Sequence, residues 1–193
     1  MDDCLTSDMN HDRATRKGSE VTAWLLTGAI PELGPGPRSG VKSEADIDAL
    51  LEGAKDIPAS SRVVLRALVL LWHDHWAMAH TIVQDLSDPD AAYVHGIIHR
   101  REPDYWNAKY WFRRVNSHPV WPLLAGDIRT LRESRAEFRA YELGGSPGHW
   151  DPAAFAGFCE TAARLPADSP QHRFAREVQA IEFRCLGRHL AAK

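Results

Sequence analysis

Cysteine is scarce in this 193-residue chain: only Cys4, Cys159 and Cys185 occur, widely spaced and with no Cys-x-x-Cys pair. That excludes a disulfide framework and a cysteine-based zinc knuckle, and an odd count of dispersed thiols fits a reducing cytosol. Long apolar runs are missing too; no stretch reaches the roughly 18 to 20 residues that span a bilayer. The start, MDDCLTSDMNHDRATRKG, has neither the basic n-region nor the apolar core of a signal peptide. A soluble cytoplasmic protein without a membrane partner is therefore expected. Charge of one sign is lacking as well: the net charge is -3, with the acidic excess in the first 56 residues, so nothing attracts nucleic acid. Finally, no segment shows the period-2 alternation of a half-buried strand.

Helical signals fill that space. Apolar content of 44% and charged content of 25% are ordinary for a globular chain, and the length suits one core. Residues 1–18 are polar and aperiodic, which predicts a disordered arm, and residues 19–193 form a single all-α domain. Within it the Pro/Gly-rich segment 30–43, IPELGPGPRSGVKS, reads as a connector between two short helices. Pro35 and Pro37 remove backbone donors from it, so it cannot cradle a phosphate. Ser43 is placed to cap a helix carrying Ile47, Leu50 and Leu51 on one face. Asp151-Pro152 and Ser169-Pro170 repeat the pattern of a capping side chain followed by proline at the first helical position. The second pair opens a long C-terminal helix reaching towards Leu190, with Phe174, Val178, Ile181, Cys185 and His189 on one stripe. The segment 127–143 also has helical spacing. Seven or eight helices are expected.

Sliding the chain by 29 residues lays LWHDHWAMAHTIVQDL over RREPDYWNAKYWFRRV, matching Trp76 to Tyr105, Ala79 to Ala108 and Val83 to Phe112. Each half reads helix, tight turn, helix. Over residues 61–120 the pattern resembles tetratricopeptide or Sel1-like helical hairpins: Gly96 stands at the small position of the first helix, Asp104-Tyr105 at the turn, Ala108 and Phe112 at the small and aromatic positions of the second. The segment also resembles one found in an uncharacterised family of soluble helical proteins with HRREPDYxNAKYWFRRV-like stretches. The resemblance implies packed hairpins closed by the C-terminal helix, and a protein or peptide as partner. No activity follows from it.

The densest chemistry lies in HGIIHRREPDYWNAKYWFRRV, residues 95–115. His95 and His99 are four apart, so both point from one helix face, and Glu102 extends it by three. Two imidazoles and a carboxylate are a legitimate set for a divalent metal, and a folded hairpin pair can bring His80 to them. The zinc-protease pattern His-Glu-x-x-His is absent because position 96 is glycine, and Pro103 should loosen the aim of Glu102. The preferred reading of the same histidines is a pair of neutral core residues bonded to neighbours. Tyr105, Ala108, Phe112 and Val115 form one buried stripe; Trp106, Tyr110 and Arg113 fall on an adjacent face, expected to pack on the next hairpin, with clasping of a planar or anionic ligand as the alternative. Arg100 and Arg101, with Arg113, Arg114 and Lys109, are the basic concentration; internal ion pairs or a small anionic ligand account for it.

Gly144-Gly145-Ser146-Pro147-Gly148 satisfies Gly-x-Ser-x-Gly, yet a helix leads into it and Pro147 lacks the N–H that a nucleophile elbow uses, so it reads as a loop. No complete catalytic signature is present. The function expected is a helical-hairpin interaction module needing no cofactor; the alternative is a small metal- or anion-binding protein or enzyme built on the His95/His99 face.

Overall fold

The computed structural model describes residue 23 and residues 26–36, 38–143 and 149–193. The predicted arm at 1–18, most of the short helix expected before the connector, and the Gly-x-Ser-x-Gly segment lie outside them. Among the described residues the chain is all-helical: α1 (Glu44–Gly53), α2 (Ala59–Trp72), α3 (Trp76–Val83), α4 (Pro89–Arg101), α5 (Tyr105–Val115), α6 (Trp121–Ser134), a 3₁₀ turn (Ala136–Phe138), α7 (Pro152–Ala162) and α8 (Pro170–Ala192).

Local chemistry sets these boundaries. The Ser43 hydroxyl accepts from the Asp46 amide, and the Asp46 carboxylate accepts from the Ser43 amide in return, a reciprocal capping box. Asp88, Asp151 and Ser169 each cap a helix whose first residue is proline. α2 and α3 form one hairpin, α4 and α5 the next, joined by three-residue turns at 73–75 and 102–104. Trp76 and Tyr105 each open the second helix of their hairpin, and Ala79, Ala108, Val83 and Phe112 are all buried. Gly96 is demanded by packing, because a Cβ there would stand 2.5 Å from the Phe112 ring.

α8 runs across α2 and also packs on α6 and α7, closing the domain. Phe174, Val178 and Cys185 are buried along it, with Ile181 and His189 half-buried. The connector is pinned: Leu33 is buried, Arg176 and Gln179 donate to the carbonyls of residues 30–32, and Arg101 donates to Glu32 O. The helix expected over 127–143 begins earlier, at Trp121, and stops at Ser134. An extended Arg135 breaks it, which turns Phe138 into the core beside Phe174, ring centroids 5.2 Å apart. No described helix is long and apolar enough to cross a membrane.

Candidate metal centre

α4 is the most buried helix of the hairpins; every residue from Asp90 to Arg101 lies inside. Its 3.6-residue period puts His95 and His99 one turn apart, and their rings lie nearly parallel with centroids 4.8 Å apart. α3 packs on α4 and delivers the third imidazole from its last turn. Nε2 of His80 lies 3.0 Å from Nε2 of His95, and its ring meets both α4 rings edge-on, at 4.7 and 5.3 Å between centroids. One donor atom from each histidine falls within 4.8 Å of the other two. Two imidazole nitrogens bound tetrahedrally to zinc stand about 3.3 Å apart, so the His80–His95 spacing is already that of two ligands to one ion.

The surroundings suit a cation. Burial, reinforced by the neighbouring His99 and His80, holds the His95 imidazole down to about 3, and burial lowers His99 against the opposing pull of Glu102. Both rings are therefore neutral near pH 7, with lone pairs available. Glu102 caps α4 and, despite Pro103 following it, sets a carboxylate oxygen 3.3 Å from His99 Nδ1; Asp104 lies at 3.9 Å. A carboxylate on the far nitrogen of an imidazole fixes its tautomer and raises its basicity as a ligand. Asn107 Nδ2 is 3.1 Å from His99 Nε2. Trp111 stacks on His95 at 3.9 Å, walling that flank, and His95 Nδ1 is buried without a hydrogen-bond partner. His80 is half-exposed and sits on the solvent side.

Arg100 and Arg101 are corrected as ligand-binding candidates. Both are buried and committed inward, because α4 turns them away from the α5 surface. Arg100 pairs with Glu182 of α8, its guanidinium 4.6 Å from the centre of the Phe155 ring. Arg101 binds Asp74 at 2.7 Å and the Leu71 carbonyl, and its guanidinium lies 4.3 Å from the centre of the Trp76 ring, tying the hairpins together. Tyr105 is half-buried against the core. Trp106, 78% exposed, stacks with exposed Tyr110 at 6.5 Å, and Arg113 is exposed one turn on.

A second cluster escaped the sequence reading. Asp90 Oδ1 accepts from Nε2 of His118 at 2.8 Å and of His189 at 3.1 Å, while Lys193 holds Oδ2. The Val120 amide donates to His118 Nδ1, which leaves the proton of a neutral His118 on Nε2, facing Asp90. This group also has three donor atoms within 4.8 Å, but its hydrogen bonds are complete and an ammonium is built into it, so it reads as an ion-pair clasp. The sequence separations of 28 and 99 residues hide it. The buried chain Trp150 Nε1 to Tyr93 OH to Glu182 was likewise missed. Its one visible signal is the position of Glu182, one turn from both Val178 and Leu186 on α8.

No known protein family, curated protein or solved structure matches the chain.

Proposed function

We propose that this protein binds a divalent transition metal, of the zinc class, through His80, His95 and His99. The observation that carries the reading is the convergence of three imidazoles from two packed helices, with donor atoms within 4.8 Å of one another. Glu102 and Asp104 behind His99 add negative charge where a cation would sit. Two buried free thiols, with burial raising Cys159 to about 12 and Cys185 to about 11, are inert and suit a reducing compartment such as the cytosol. The test is calorimetric titration of chelator-treated protein with zinc. One ion per chain is expected, with a raised melting temperature and loss of both effects in His95→Ala, while His189→Ala leaves the stoichiometry intact. Absence of binding, or binding indifferent to His95→Ala and His99→Ala together, rejects the reading.

A second reading rests on the exposed Trp106–Tyr110 stack: the α4–α5 hairpin also presents a face for a peptide or protein partner, with Arg113 meeting a carboxylate. Trp106→Ala should then abolish partner binding at unchanged melting temperature. Equal binding by the variant argues against it.

A further inference from the structure

We infer that the metal in this site keeps one coordination position open to solvent, where a small anion or other oxygen or nitrogen donor binds; the inference rests on the metal-binding reading above. Three imidazoles exhaust the ligand set, since among the described residues no fourth histidine, cysteine or carboxylate joins the group in which every donor atom lies within 4.8 Å of the others. Structural zinc sites close their tetrahedron with four protein ligands, whereas sites with three leave the fourth position to water or substrate.

The nearby carboxylates do not fill that position. Glu102 and Asp104 both address Nδ1 of His99, at 3.3 and 3.9 Å, and so orient the ring from behind. Of the groups around the site, His95 and His99 are buried and Trp111 covers the His95 face, while His80 and Asn107 are half-exposed. The solvent side of the site is therefore the side of His80, Asn107 and the exposed Glu102 and Asp104. Three neutral imidazoles leave the ion's double charge uncancelled in the first sphere, which favours an anion as the fourth ligand. In the metal-free site the Asn107 amide hydrogen-bonds to His99 Nε2 at 3.1 Å; an ion taking that nitrogen displaces the amide, which is then placed to donate to a bound anion.

The experiment uses the full chain loaded with cobalt(II) in place of zinc, with azide as the anion probe and visible absorption as the readout. The inference predicts one cobalt per chain with ligand-field bands that change saturably on adding azide. Asn107→Ala should weaken azide binding by about tenfold, the worth of one hydrogen bond to a charged group, at unchanged cobalt stoichiometry. Cobalt bound stoichiometrically with a spectrum indifferent to azide would show a closed sphere, overturning this inference and leaving the metal reading in place. A chain that takes up no cobalt overturns both.

Discussion

Among single residues, Glu182 faces the largest consequence of substitution. It lies fully buried on α8, accepts from Tyr93 OH at 3.2 Å and pairs with Arg100, whose Nε and Nη1 have no hydrogen-bond partner. Burial disfavours the charge on Arg100, and the Glu182 carboxylate outweighs it, holding the guanidinium above its ordinary range. Glu182→Gln leaves that charge without its counterion, and a loss of about 3 to 5 kcal/mol in urea unfolding is expected. A loss below about 1 kcal/mol would show that Arg100 does not depend on this carboxylate. His95 and His99 carry a different expectation: truncation removes the donor set, so metal stoichiometry should fall whatever happens to the fold. The convergence of His80 with them could be anticipated from the hairpin repeat, but the roles of Arg100 and Arg101 could not. Their partners, Glu182 and Asp74, lie 82 and 27 residues away in sequence, beyond any local pattern.

At the scale of elements, the α4–α5 hairpin carries the site, and its close packing hangs on Gly96. Adding a methyl group there drives a Cβ into the Phe112 ring, so Gly96→Ala is expected to cost about 1 to 3 kcal/mol and to weaken metal binding as His95 and His99 shift with the helix. Unchanged stability would mean that the two helices separate at no cost. Capping chemistry and 3.6-residue periodicity made the helices legible: Ser43, Asp151 and Ser169 all cap where expected, and the all-α class follows. What could not be read was the break at Arg135, where no proline or glycine intervenes and the gain comes from Phe138 reaching a distant ring. The pinning of the connector was hidden for the same reason. Its carbonyls are taken by side chains of α8, about 145 residues on.

For the molecule as a whole, pH is the informative variable. His95 titrates at about 3 in the folded protein against an ordinary 6.5, because burial and the neighbouring imidazoles of His99 and His80 oppose its charge, and His99 is lowered in the same direction although Glu102 and Asp104 face it. As pH falls below about 6.5 the unfolded chain therefore takes up protons that the folded chain refuses. The stability of the metal-free protein is full above that point and is lost progressively towards about 3. Asp90 acts in a lower window: burial pushes its carboxyl up, but hydrogen bonds from His118, His189 and Lys193 outweigh this, so its contribution is present above the usual 3.8 and is lost only below it. Urea midpoints should fall between pH 7 and pH 5, and zinc affinity with them, since protons compete for the same nitrogens. Midpoints that stay level across that range would contradict the assignment of His95 and His99 as neutral, buried groups.

The most direct measurement is the anomalous scattering of zinc in crystals of the full chain. One anomalous peak is expected, bounded by Nε2 of His80, Nε2 of His95 and a ring nitrogen of His99, at about 2.0 to 2.1 Å from each. A peak among Asp90, His118 and His189 instead, or no peak at all in crystals grown with stoichiometric zinc, would contradict it.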